Sequence, residues 1–170
     1  GGLKGHKFSL FDGGGKEPAI MHWPARIPEG QVIDQSCASM DIVPTVLDAI
    51  GVDASQYEID GTSLLSHVVD GDDLEERAIF WEMDAQTAVR RGKWKLVLNG
   101  QLVESGDPVV EVHLSDVESD PSESVNLVDS EPEIAAELKK LAEDWRAGIV
   151  KRWEEQYADS DHEYVAHGMV

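Results

Sequence analysis

The sequence predicts an α/β protein in which the end of a larger α/β domain is followed by a small antiparallel sheet packed on a long C-terminal helix. Three observations support this fold class. A short apolar run and two short helical patterns come first, four β-rich runs follow, and one long amphipathic pattern comes last. We predict a boundary near residue 72, with residues 1–72 in the first domain, 73–157 in the second and 158–170 as an acidic tail.

The chain opens with a glycine-rich loop that leads into a predicted buried strand. The run from Ala19 to Trp23 is apolar and lies between prolines. A short apolar run with prolines at its ends suits a strand of a larger sheet better than a helix. Because the chain starts at Gly1 within such a loop, we expect that the front of the protein is missing.

Two short helices are predicted before the domain boundary. Asp41 can cap the first, and Gly51 supplies a left-handed residue at its end. A turn at Asp60 and Gly61 precedes the second, which should stop at Gly71. The apolar residues of the first helix share one face, namely Val43, Val46, Leu47 and Ile50.

Four runs rich in β-branched and aromatic residues predict an antiparallel meander, closed by one long helix. The runs are RAIFWEM, TAVRRG, KWKLVLNG and VVEVHLSDV, with a hairpin turn expected at Arg91 and Gly92. The helix should follow Ser130, with Pro132 and Glu133 in its first turn. Its apolar stripe carries Ile134, Leu138, Leu141, Trp145 and Ile149, and we expect Trp81, Trp94 and Trp145 in the core.

Charge and cysteine content restrict the classes of function. The 34 acidic and 14 basic residues give a net charge of -20, spread over every segment, which disfavours binding to nucleic acid or anionic membranes. A dispersed acidic excess suits a protein from concentrated salt, so a halophilic source is our hypothesis, beside that of an ordinary acidic protein.

The single cysteine, Cys37, excludes an internal disulfide and should be buried, while the cellular compartment stays undetermined.

Several common catalytic and metal motifs are absent from the sequence. It has no G-x-S-x-G turn, complete Walker A loop or paired C-x-x-C. In HEYVAH, His162 and His167 are five residues apart and would face different sides of a helix. The string DVESDPSE resembles a calcium loop, but Pro121 stands where that loop requires glycine, so we predict a plain turn. We assign no metal ligand in this chain.

The opening loop is the remaining candidate site. Lysine offers a compact positive charge to a tetrahedral oxyanion, and glycine lets backbone approach a ligand closely. In a competing interpretation, Lys7 pairs with Asp12 or Glu17 and the glycines only form turns. The residue types alone leave both interpretations open. The basic residues of the loop are Lys4, His6 and Lys7.

The loop resembles a segment of type I sulfatases of the alkaline-phosphatase superfamily. The run GLKGHKFSLFDGGGKEPAIMHWPARI is similar to their pattern L-R-G-x-K-x-x-x-x-[DE]-G-G-x-R-x-P-x-I-x-x-W-P-G. Four further blocks resemble the same family in the same order, namely SMDIVPTVLDAIG, IDGTSLL, AVRRGKWKLV and DPSESVNL. Together they cover most of the chain from Leu3 to about Trp145. The resemblance implies an alkaline-phosphatase-like domain whose C-terminal part is residues 1–72.

The resemblance also implies roles for individual residues. Lys7 matches the lysine that contacts the sulfate group and would be catalytic as well as substrate-binding. Lys4 matches a nearby basic position, and His6 falls where many members have glycine; both are further candidates for substrate binding. Asp12 and Lys16 match positions that brace the loop. Scaffold matches are Asp41, Pro44, Asp120, Pro121, Glu123 and Asn126, and Ser115 replaces a usual tyrosine.

By this resemblance the full-length protein would be a sulfuric ester hydrolase acting on a sulfated small molecule or glycan. It would use calcium and a formylglycine nucleophile. The calcium ligands and the formylglycine would lie before Gly1, so the chain alone should be inactive. Cys37 lies outside any C-x-P-x-R motif and cannot be the formylglycine precursor. A phosphodiester or phosphonate hydrolase of the same superfamily, or a non-catalytic acidic interaction module, remains the alternative. The oligomeric state is undetermined.

The acidic composition generates a prediction about salt. Because added salt screens repulsion among the acidic side chains, the melting temperature should rise between dilute buffer and molar KCl. Circular dichroism melts over a KCl series measure this. A melting temperature that stays constant or falls over the series would contradict the halophilic hypothesis.

Overall fold

The structure is a computed structural model that describes residues 2–103 and 108–157. The chain divides into two compact units. Residues up to Glu17 belong with those from Ala78 onward, and Pro18–Arg77 form the other unit. The predicted boundary near residue 72 stays a prediction, and the acidic tail with its HEYVAH string lies outside the described residues. In chain order the elements are α1 (Asp12–Gly15), α2 (Ile42–Ala49), α3 (Leu65–Asp70), β1 (Ala78–Met83), β2 (Gln86–Arg91), β3 (Trp94–Gly100), β4 (Val110–Asp116) and α4 (Pro132–Tyr157).

The four strands form the predicted antiparallel meander, in the order β1-β2-β3-β4. The hairpin at Arg91 and Gly92 is confirmed, because β2 ends at Arg91 and Gly92 has a φ of 55°, in the left-handed region that a tight turn requires. Buried apolar residues lie in register across neighbouring strands, as in Val89↔Leu96 and Leu96↔Leu114, and the half-buried Phe80 lies opposite Val89.

Side chains alternate between the two faces of the sheet, and each face has a different cover. The predicted long helix is confirmed as α4, which packs on one face and forms a core of Val89, Leu96, Leu114, Ala135, Leu138 and Ala142. On the other face, Ala88 and Val97 pack against Leu10 and Phe11 of the opening loop. The loop that precedes residue 18 is therefore part of the folded sheet unit, which the sequence did not predict.

The three tryptophans predicted in the core lie at its margin. Trp94 and Trp81 are half-buried and pack against the two clusters on opposite faces of the sheet. Trp145 of α4 stacks on Phe80, with ring centroids 5.2 Å apart. The three side chains thus contribute to packing, while the fully buried apolar positions are held by aliphatic residues and Phe11.

Residues 19–23 do not form the predicted strand. Ile20 is 96% exposed and Met21 is 47% exposed. A strand requires a neighbouring backbone with which to exchange hydrogen bonds. The strands of the described chain all belong to the β1–β4 sheet, and none of them pairs with this run.

The first predicted helix is confirmed as α2, but its predicted apolar face is not buried in the described chain. Ile42, Val43, Val46 and Ile50 are all exposed, whereas Thr45 is buried. The Thr45 hydroxyl donates to the Asp41 carbonyl and accepts the Leu64 amide, so α2 packs through the side that carries Pro44 and Thr45. Cys37 is likewise exposed, and its predicted burial is wrong because it lies in an extended segment outside the core. The predicted α3 is confirmed, with Gly71 left-handed at its end.

Asp41 precedes α2 as predicted, but its carboxylate forms no capping bond to that helix. It is fully buried and accepts hydrogen bonds from the amides of Ala38 and Thr62, at 2.7 and 2.9 Å, and pairs with the Arg77 guanidinium. Burial acts to raise the pKa of Asp41, but these hydrogen bonds outweigh it and lower the pKa below its usual value. Asp41 therefore connects three segments of the Pro18–Arg77 unit.

Candidate functional site

The opening loop folds back on itself with very close backbone contacts. The Gly13 amide donates to the Lys4 carbonyl at 2.8 Å. A Cβ at Gly13 would lie 2.2 Å from the Gly5 carbonyl oxygen, and one at Gly5 would lie 2.3 Å from the Ser9 Oγ. Both positions therefore require glycine because of the chain's own packing. This is the turn-forming role that the sequence left as an alternative to ligand approach.

Two buried side chains attach the loop to the sheet unit. The Ser9 hydroxyl donates to the Gln101 carbonyl at 2.5 Å, and its oxygen accepts the Phe11 amide at 3.2 Å. The Phe11 ring is fully buried and leaves no room for a side chain at Gly100, where a Cβ would lie 2.8 Å from the ring. The ring also meets that of His113 edge to face, with centroids 5.2 Å apart.

A buried cluster of three charged residues joins the loop, the sheet and the turn before α4. The Lys95 Nζ lies 2.5 Å from Asp12 Oδ1 and 3.3 Å from Glu123 Oε1. Glu123 Oε2 accepts the Asp12 amide at 2.6 Å. All three residues are at most 5% exposed. Asp12 therefore braces the loop as predicted, and its main partner is Lys95. Lys16 is a more distant partner of Asp12, at 3.9 Å.

The sequence assigned Glu123 only to a turn and did not single out Lys95. Glu123 is fully buried and has a φ of 48°, which is uncommon for a residue with a side chain. Burial raises the pKa of its carboxyl group, although Lys95 and the Asp12 amide oppose the shift. The alternation of β3 does place Lys95 on the same face as Val97, so its inward direction could have been found from the strand pattern.

Lys4 is partly buried and held by the protein. Its Nζ donates to the Glu123 carbonyl at 3.1 Å and lies 4.4 Å from the centroid of the Phe11 ring. Burial lowers the pKa of Lys4, although Glu123 and Asp120 act in the opposite direction. These contacts attach Lys4 to the folded chain, and substrate binding by Lys4 stays a prediction.

His6 and Lys7 are both exposed, next to each other in the loop. The His6 carbonyl accepts the Ser9 amide at 2.8 Å, which closes the turn that presents Lys7. The Lys7 Nζ lies 4.9 Å from the centroid of the Phe8 ring. Within residues 2–103 and 108–157, Lys7 forms no ion pair with a carboxylate, and Asp12 instead pairs with Lys95 and Lys16. The alternative pairing of Lys7 with Asp12 or Glu17 is therefore not formed in this structure.

Comparison with known proteins establishes the family. The family described as N-sulphoglucosamine sulphohydrolase, C-terminal, matches residues 6–148, which is most of the chain. The chain belongs to this sulfatase family. The predicted resemblance to sulfatases is thereby confirmed, and the matched region contains His6, Lys7 and the buried cluster.

Curated relatives of this sulfatase chain are themselves named sulfatases, which are sulfuric ester hydrolases. N-acetylgalactosamine-6-sulfatase of Canis lupus familiaris is 37% identical over 90 residues, covering 52% of this chain and 17% of the relative. Arylsulfatase A of Bos taurus is 29% identical over 155 residues, covering 79% of this chain and 30% of the relative. The chain therefore spans less than a third of the length of these relatives.

Solved structures support the fold of the sulfatase chain. One from the Bacteroides thetaiotaomicron locus for metabolism of multiple glycosaminoglycans has a TM-score of 0.67 and 21% identity, covering 86% of this chain and 32% of its own. The structure of Ps i-CgsB in complex with k-i-k-neocarrahexaose has a TM-score of 0.64 and 22% identity, covering 81% of this chain and 30% of its own. The predicted fold class is confirmed by these likenesses together with the meander and α4.

The part of this sulfatase chain that the structure describes contains no group of three or more His, Cys, Asp or Glu residues arranged to hold a metal ion. Asp120, in the calcium-like string, uses its carboxylate to accept the amides of Ser124 and Val125. The described residues therefore do not fit a calcium site. A search of the same residues for helices long and apolar enough to cross a membrane finds none.

The burial of His113 predicts a pH dependence of stability. Burial, with a smaller contribution from Lys4, lowers the pKa of His113 from 6.5 to about 4. As the pH falls, His113 is therefore protonated in the unfolded chain at a higher pH than in the folded chain. Stability from neutral His113 is complete above pH 6.5 and is lost as the pH falls toward 4. The raised pKa of Glu123 acts in the opposite sense and offsets part of this loss.

Denaturant unfolding of the wild type and His113→Leu between pH 7 and 4 measures the effect. We expect the free energy of unfolding of the wild type to fall more steeply over this range than that of the variant. Equal slopes for the two proteins would contradict a neutral, buried His113.

Proposed function

We propose that this chain is the C-terminal part of a sulfatase that hydrolyses sulfate esters, and that Lys7 binds the sulfate group of the substrate. The observation that carries the proposal is an exposed lysine without a carboxylate partner among the described residues, on a loop held by buried groups, within the family match. In a chain of net charge -20, such a lysine is an exception that an anionic substrate would explain.

The chemistry of ester cleavage gives Lys7 a defined task. Negative charge increases on the oxygens around sulfur and on the departing oxygen as the ester bond breaks. An ammonium group fixed beside these oxygens stabilises the transition state more than the ground state, and that difference accelerates the reaction. Lys4, which is bonded to the Glu123 carbonyl, would act by supporting the loop, and the exposed His6 would contact the substrate beside Lys7.

The names of the relatives favour a sulfate ester over the phosphodiester and phosphonate alternatives. They are N-acetylgalactosamine-6-sulfatase and arylsulfatase A. A sulfated small molecule or glycan is therefore our proposed substrate class. The neocarrahexaose complex of a structural neighbour supports a glycan.

Calcium and a formylglycine nucleophile belong to the proposal for the full-length protein only. The described residues provide no metal-binding group, and Cys37 stands outside the formylglycine motif. We therefore assign to this chain the binding and orientation of the anion, and we predict that it is inactive by itself.

The proposal is tested by substituting Lys7 in the full-length protein. Lys7→Ala should lower kcat/KM for an aryl sulfate by about 10²-fold, as for the loss of one contact that stabilises the reacting oxygens. Steady-state assays of purified wild type and variant measure the change. The matched control is Lys16→Ala, which removes an exposed lysine of the same loop whose carboxylate partner is Asp12, and should leave the rate close to that of the wild type.

Wild-type activity in Lys7→Ala would refute the role of Lys7. Activity toward phosphodiesters but not sulfates in the wild type would instead favour the phosphoester alternative. A full-length wild type that carries its formylglycine and shows neither activity would favour the non-catalytic interaction module.

A further inference from the structure

Gln86, the first residue of β2, bonds three backbone groups in two separate segments at the base of the Lys7 turn. Its Nε2 donates to the Phe8 carbonyl at 2.9 Å. Its Oε1 accepts the amides of Leu10 and Gln101, at 3.2 and 3.0 Å. The side chain is fully buried, so water cannot replace these three hydrogen bonds.

The residue next to Lys7 has a strained backbone that this amide holds. Phe8 has a φ of 72°, in the left-handed region that is unfavourable for a residue with a Cβ. Such a conformation persists only where its surroundings determine it, and strained residues are concentrated at functional sites. The bond from Gln86 to the Phe8 carbonyl fixes the peptide group that follows Phe8, and hence the direction in which Lys7 leaves the turn.

Gln86 is itself held in place by α4. The Arg146 guanidinium donates to the Gln86 carbonyl at 2.9 Å and to the Thr87 hydroxyl at 2.8 Å. It also donates to the Asp84 carbonyl at 2.6 Å. The start of β2 is thus fixed to the long helix on one side and to the loop on the other, which gives the turn a rigid support.

We propose that Gln86 is a positioning residue for Lys7: its buried carboxamide sets the strained Phe8 turn and thereby the place of the Lys7 ammonium at the substrate anion. The inference rests on the proposed function and adds a residue that does not touch the substrate. Positional errors of about 1 Å at a reacting centre can lower the rate by about 10²-fold, so an effect through Lys7 is measurable.

The experiment is a double-mutant cycle in the full-length enzyme. Gln86→Met keeps the length of the side chain but removes all three hydrogen bonds, and should lower kcat/KM for an aryl sulfate by about 10-fold or more. In the Lys7→Ala background the same substitution should change kcat/KM by no more than about twofold, because a residue that acts through Lys7 has nothing left to position. A second variant, Gln86→Glu, retains two acceptor oxygens but loses the donor to Phe8, and should show the same non-additivity.

Asn126, an exposed residue of the turn before α4, provides a control whose side chain bonds to β4 of the same sheet. Its carboxamide also connects three backbone groups, accepting the Leu114 and Val128 amides and donating to the Val112 carbonyl, without contacting the opening loop. Asn126→Leu should lower the melting temperature and leave kcat/KM within about twofold of the wild type. A loss of activity that merely followed stability would appear in this variant as well.

The outcomes separate the inference from the proposed function. A loss in Gln86→Met or Gln86→Glu that disappears in the Lys7→Ala background supports the inference. A second outcome is that Lys7→Ala lowers the rate while the Gln86 substitutions lower kcat/KM by the same factor in the Lys7→Ala background as in the wild type. In that case the positioning role is wrong and the proposed function stands. If Lys7→Ala has wild-type activity, both are overturned. If Gln86→Met has wild-type kcat/KM beside an impaired Lys7→Ala, the positioning role alone is overturned.

Discussion

The buried ammonium of Lys95 is the constraint on which the arrangement of this unit depends. It lies 2.5 Å from Asp12 and 3.3 Å from Glu123, so one strand holds both the opening loop and the turn before α4. A buried charge that loses its partner costs about 3–5 kcal/mol, which makes separation of the loop from the sheet unfavourable. The Phe11 ring, packed on the same face, adds apolar burial to the same attachment.

The cluster explains why Lys4 and Lys7, which are close together in sequence, have different surroundings. Lys4 and Lys95 are directed toward the protein, where Glu123 provides a backbone carbonyl for one and a carboxylate for the other. Asp12 is occupied by Lys95, and this leaves Lys7 exposed without a carboxylate partner among the described residues. Within the described residues, the pairing of Asp12 with Lys95 thus keeps the Lys7 ammonium available on a loop held by buried groups, an arrangement suited to binding an anion.

Much of the fold could be predicted because it depends on local patterns. The meander, its hairpin at Gly92 and the helix beginning at Pro132 follow from alternation, turn residues and an amphipathic stripe. The attachment of the loop could not be predicted, because Ser9, Gln86 and Glu123 act through contacts with residues distant in sequence. Polar residues in such positions carry no periodic signal. The strand expected near Ile20 failed for a related reason, since a strand depends on a partner that local sequence does not reveal.

Hydrogen exchange at the loop amides tests most directly whether the loop belongs to the folded sheet unit. The Leu10 amide is bonded to Gln86 and the Asp12 amide to Glu123, while an amide such as that of Leu96 lies in the central sheet. If the attachment is as described, Leu10 and Asp12 should exchange as slowly as Leu96, through global unfolding. Exchange of Leu10 and Asp12 orders of magnitude faster than that of Leu96, as in a frayed terminus, would contradict the account.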